Sequence, residues 1–189
     1  MANFGQTVPI TGPLTGFPGK PSRFGKRTVA SRQVLLTTPN PIVFGAPVVM
    51  VPDSLGGTYQ SVADFILGGG TFTAGLFAGV AFAEVNAGLV LNPVPGSLQI
   101  GSYAPGDMCD VMEEGSLTIQ LLNPGTPVAG GPVYVRKLLN GSVPAGLVGD
   151  IEGASDTTNS ILIPGVVFRT GVVDTNGVAE ITILNRVAA

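Results

Sequence analysis

GSLTIQLL, residues 115–122, alternates apolar and polar side chains along its length. Leu117, Ile119 and Leu121 point to one face, and Ser116, Thr118 and Gln120 to the other. That period of two marks a half-buried β-strand. Asn123-Pro124-Gly125 closes it. Toward the C-terminus, VYVRKL (133–138) reads as the next strand, and Asn140-Gly141 after it is a strong hairpin-turn dipeptide. Ile161 to Ile163 and Val166 to Thr170 read as short strands on either side of Pro164-Gly165. Asp174-Thr175-Asn176-Gly177 is a turn, after which VAEITIL (178–184) alternates again.

The pattern continues toward the N-terminus. Pro105-Gly106-Asp107 is a turn, preceded by a short strand from Ser97 to Tyr103 and a Pro/Gly turn over 92–96. Phe72 to Val85 is too interrupted by glycine for a helix and reads as one or two strands. Tyr59 to Leu67 fits either a strand or two helical turns, because Val62, Phe65 and Ile66 share helical spacing. SRQVLLT (31–37) and IVFGAPVVM (42–50) read as strands, with Pro47 putting the second at an edge or a bend. Short strands set apart by Gly, Pro and Asn turns predict an all-β protein, a short-stranded barrel or jelly-roll-like body.

Charge divides the chain. The first acidic residue is Asp53, and the 52 residues before it carry five of the nine basic groups: Lys20, Arg23, Lys26, Arg27 and Arg32. That opening segment is +5 and the remainder is −8. Residues 1–30 also hold five Gly and four Pro, which rule out a continuous helix. The expected organisation is an extended basic arm over 1–30 and a β-rich body over 31–189, with possible sub-parts 31–100 and 101–189. Ordering an arm costs ~1–2 kcal/mol per residue, so this one is expected to gain its order against another molecule. Charged residues are only 11% of the chain and apolar residues 44%, a shortage of polar surface that points to burial in an assembly.

Composition removes most chemistry. Histidine is absent and Cys109 is alone, so Ser-His-Asp and Cys-His sites, histidine-bearing zinc sites and an internal disulfide cannot be built. No cofactor or metal is expected. Asp107, Asp110, Glu113 and Glu114 form the densest acidic group; a calcium loop or a carboxylate pair is the functional reading, and a solvated turn rim is the plainer one. The N-terminus shows no signal-peptide pattern. Residues 66–83 carry no charge over 18 residues, but the glycine run 68–70 favours a buried sheet segment over a membrane span.

Several stretches taken together resemble the head-decoration, or cement, proteins of tailed bacteriophages. They are FAGVAFAEV (77–85), YAPGDMCDVMEEGSLTI (103–119), GGPVYVR (130–136) and the long run 148–184. The resemblance implies a β-rich, non-catalytic body docked on the outer surface of the phage head, assembled in the host cytoplasm. It implies the major capsid protein as partner, and self-association as a homotrimer, with a homodimer as the alternative. The arm lies largely outside the resemblance. Its candidate contact residues are Phe17, Lys20, Arg23, Phe24, Lys26, Arg27 and Arg32, a cationic run suited to a carboxylate-bearing protein surface. The alternatives are another virion component, such as a tail or minor capsid protein, and a single-strand nucleic-acid binder. The acidic remainder of the chain and the pI near 4.7 weigh against specific nucleic-acid binding.

Overall fold

The computed structural model describes residues 18–23, 25–54, 56–83, 101–121, 125–142, 146–175 and 177–185. Among them the chain is almost wholly β, as expected. The strands are β1 (Thr28–Gln33), β2 (Ile42–Val43), β3 (Pro47–Val51), β4 (Thr58–Ser61), β5 (Phe77–Ala81), β6 (Ser102–Tyr103), β7 (Met108–Gln120), β8 (Pro132–Arg136), β9 (Ile151–Glu152), β10 (Ser160–Val173) and β11 (Val178–Ile183). One short helix, α1 (Val62–Leu67), follows β4 directly. The stretch 59–67 is therefore both a strand and a helix. Ser61 makes the switch, its side chain accepting the Asp64 amide as an N-cap.

β7 organises the molecule. Its C-terminal half pairs with β11, and the antiparallel path continues β11–β10–β8–β9. Its N-terminal half lies between β1 and β5, and the path on that side continues β5–β3–β4. Val34, one residue past β1, makes a parallel bridge to Tyr59 in β4 and closes β1–β7–β5–β3–β4 into a small ring. Val34, Val48, Tyr59, Ala78, Cys109 and Val111 form one buried cluster with Ile42. The larger core gathers Val49, Phe77, Val80 and Met112 from the ring strands with Leu117, Ile119, Phe168, Ile181 and Ile183 from the other half of the sheet.

The alternation in 115–122 gives the expected inward face, with Leu117 and Ile119 fully buried. The strand itself begins seven residues earlier, at Met108. Gly115 makes that length possible: its φ of +131° bends β7 where its partners change from β1 to β11. Pro164-Gly165, expected as a break, is an irregularity inside the single 14-residue strand β10, at a shift of register between Leu162 and Val167. In 42–50 the chain breaks instead at Gly45, with φ +83°, and Pro47 opens β3, where its missing donor is tolerated. Asn140-Gly141 is not a tight hairpin. β8 and β9 are joined by a long loop, in which Asn140 donates to both oxygens of Asp156. The uncharged 66–83 stretch contains the wholly buried β5, and no helix among the described residues is long and apolar enough to cross a membrane. The turn at 92–96 and residues 97–100 lie outside the described residues.

Candidate functional site

The basic segment lies along its own body. The Gly19 amide donates to Thr118 O at 2.7 Å, the Thr118 amide to Lys20 O at 3.0 Å, and the Ser22 amide to Ser116 O at 3.1 Å. Pro21 bridges Leu117 in antiparallel sense. Further along, Thr28 to Gln33 pair with Glu114 to Met108. Residues 19–22 and 28–33 therefore both lie antiparallel along β7, the first beside its C-terminal half and the second beside its N-terminal half. The gap between them falls opposite Gly115, where β7 bends; a Cβ there would meet Arg27 Cβ at 3.2 Å. The expectation that this segment is ordered only by another molecule is corrected for residues 18–23 and 28–33. The backbone groups of β7 that the half-sheet leaves unpaired supply its hydrogen bonds.

The side chains of this strap divide into anchors and an outer rim. Arg23 forks onto Glu180, with Nε 2.7 Å from Oε1 and Nη2 3.2 Å from Oε2, and Ser22 Oγ donates to the same Oε1 at 2.8 Å. Glu180 is nearly inaccessible, its side chain 5% exposed. Burial disfavours its charge, but the bonds from Arg23 and Ser22 outweigh burial and hold its carboxyl below the usual carboxylate range. Lys20 Nζ donates to Ala83 O at 3.0 Å. These contacts fasten the strap.

Lys26 is 79% exposed, with Nζ 3.0 Å from Glu114 Oε1. Thr28 Oγ1 approaches the other oxygen of Glu114 at 3.4 Å. Arg27 is exposed and sits with Cζ 5.6 Å from the ring centroid of buried Phe82, a cation–π contact. Arg32 Nη1 donates to Gly56 O at 3.1 Å, at the far end of β1. Arg23, Lys26, Arg27 and Glu114 edge a hollow of about 170 Å³ between the strap and the end of β11. Phe17 and Phe24, the aromatic candidates, lie outside the described residues.

The acidic group near 107–114 is spread along β7 and its entry turn. Asp107 accepts the Ala104 amide at 2.8 Å, Asp110 accepts from Ser31 Oγ, and Glu114 meets Lys26. No group of three His, Cys, Asp or Glu among the described residues is placed to hold a metal ion. Cys109 is fully buried, and burial together with the Asp110 charge pushes its thiol well above the ordinary value. The sequence reading missed Glu180. The alternation of β11 places it on the polar face, and nothing local signals that a segment 157 residues away covers that face.

Residues 4–184 match the phage family described as structural cement protein (E217 gp24/Pam3 gp6). No curated protein sequence matches the chain. A chain of the solved capsid of Myoviridae phage XM1 superposes with a TM-score of 0.57 at 16% identity, covering 98% of this chain and 99% of that one. That likeness shows a shared fold. With the family match spanning nearly the whole sequence, the chain belongs to the structural cement protein family of phages and is a virion structural protein that stabilises the capsid.

Proposed function

We propose that the protein acts without catalysis on the outside of the assembled head, gripping the major capsid protein with the outer rim of its strap. One observation carries this reading. The first 52 residues, net +5, carry their cations on a strap laid against a remainder of −8, with Lys26 and Arg27 exposed. The partner of Lys26 within the chain is weakly held. The Lys26–Glu114 pair is solvated, and such pairs contribute only ~0–1 kcal/mol. A carboxylate on a capsid subunit can replace or share these contacts at little cost. Arg23 and Lys20 serve as the rivets that hold the strap in place.

Self-association supplies the second half. Val128 and Val172, 66% and 61% exposed, are carried on neighbouring backbone, since a Cβ on Gly171 would fall 3.0 Å from Val128 C. Exposed apolar side chains of this kind suit burial between copies about a symmetry axis, with a homotrimer favoured. Several weak strap contacts held on one oligomer add through effective concentration. Binding only the closed lattice then favours it by mass action.

The test adds purified protein to heads that lack it, followed by electron microscopy. Density on the outer surface at local symmetry axes, with the strap facing the lattice, is expected. Heads that stay bare, or density on the inner wall, would overturn the proposal. Alanine at Asp107 and Glu113 is expected to leave head binding unchanged, as it should if these acids do no chemistry.

A further inference from the structure

The strap does not follow β7 evenly. The Ser22 amide bonds Ser116 O, and Thr28 stands opposite Glu114, so the strap takes six residues over a stretch where β7 takes two. That surplus, beside a Gly115 with no side chain to fill the space, leaves the hollow of about 170 Å³ at the end of β11. Sites for drug-sized molecules run to ~300–1,000 Å³, so this one suits a single side chain. Its walls among the described residues are of two kinds. Pro21, Met112, Ile183 and Leu184 are apolar. Arg23, Lys26 and Arg27 set three cations there against one acidic wall residue, Glu114. Glu180, forked by Arg23, makes two carboxylates for the three cations. One more carboxylate would bring the group to neutrality.

A hydroxyl pair adds direction. Ser116 and Thr182 stand opposite each other in the β7–β11 register, both line the hollow, and Ser116 Oγ lies 2.7 Å from Thr182 Oγ1. Two hydroxyls carry two hydrogens, and the bond between them uses one. The second is left to donate to an acceptor lodged in the hollow. We infer that the hollow is a socket for one carboxylate side chain of a capsid subunit. Its methylenes lie against Leu184 and Pro21, and its oxygens meet Lys26 and Arg27 at the rim and the Ser116–Thr182 pair within. This rests on the cationic grip proposed above and makes it specific: one acidic side chain enters the surface instead of lying on it. A charge-assisted hydrogen bond in a partly enclosed site is worth more than a solvated ion pair. A phosphate ester brings no aliphatic stem for the apolar walls.

The double variant Ser116→Ala, Thr182→Val tests the socket, because it keeps every charge. Replacing both partners of a hydrogen bond by apolar groups of similar shape costs a fold little, which an unchanged melting temperature checks. Its co-sedimentation with heads lacking the protein is expected to be about tenfold weaker, with the salt dependence of the parent, since a hydrogen bond to a charged group is lost and no charge is. Full binding by this variant beside weakened binding by Lys26→Gln, Arg27→Gln would overturn the socket and leave the grip standing. Full binding by both variants would overturn grip and socket together. Propionate, a carboxylate on a glutamate-length stem, gives a second reading on the parent protein alone. Its titration should shift the Ser116 and Thr182 amide resonances saturably, and by more than phosphate does at equal ionic strength. Larger saturable shifts with phosphate would assign the hollow to phosphate groups, and shifts that never saturate would leave only a surface charge effect; either result contradicts the socket.

Discussion

Arg136 is 1% exposed, yet it stands on the face of β8 opposite Val133 and Val135, where alternation leads one to expect solvent. The structure explains the burial. Its Nε lies 2.5 Å from Glu152 Oε1 and its Nη1 2.7 Å from Asp156 Oδ2, so one guanidinium ties β8, β9 and the following loop together. Hydrogen bonds from Asn140 and then Arg136 hold the Asp156 carboxyl below its ordinary value. Arg136→Ala leaves the inaccessible Glu152 without this cation and should cost ~3–5 kcal/mol, read as a lower urea midpoint. Lys26→Ala, at a solvated pair, should cost under ~1 kcal/mol. Gly79 is a steric counterpart. Its φ is +142° and an added Cβ would sit 2.3 Å from Met112 O, so β5 could not lie against β7. Gly79→Ala should lose several kcal/mol, on the order of 4 or more, or fail to give soluble protein. A melting temperature near that of the parent would refute this.

Among the elements, the strap and β7 share one fate. The Arg23–Glu180 contact is present while Glu180 is ionised. Its folded pKa lies below the reference value of 4.5, so its contribution is full above that value and is lost as pH falls through the lower, folded one. Amide exchange at Gly19, Ser22 and Thr118 should therefore accelerate at acid pH before the core amides of β10 and β11 do. Arg23→Gln should weaken this protection already at neutral pH, because the forked contact to Glu180 is lost. The C-terminal half of β7, β8 and β11 are legible because each alternates apolar and polar residues with period two. β10 was read as two strands because Pro-Gly is locally a breaker, and only pairing with both β8 and β11 carries the chain through it. β1 begins at Thr28, inside the apparent arm, because its partner β7 lies about 80 residues further along the chain. No local pattern encodes that pairing.

For the whole molecule, the all-β class and the charge division between N-terminal segment and body could be read from composition and turn spacing. The closure of a small ring through Val34 and Tyr59, and the covering of Glu180 by the strap, could not, because both join distant segments. The division has a physical consequence under the proposed cationic grip: a contact between the strap's cations and carboxylates of a capsid subunit should weaken as salt rises. The most direct measurement is the affinity of the Lys26→Gln, Arg27→Gln double variant for heads lacking the protein, by co-sedimentation at low and high salt. Both side chains are exposed, so the fold should persist, checked by an unchanged melting temperature. The expected result is at least tenfold weaker binding at low salt and a flatter salt dependence. A folded double variant that binds heads as tightly as the parent, with the same salt dependence, would contradict the cationic grip.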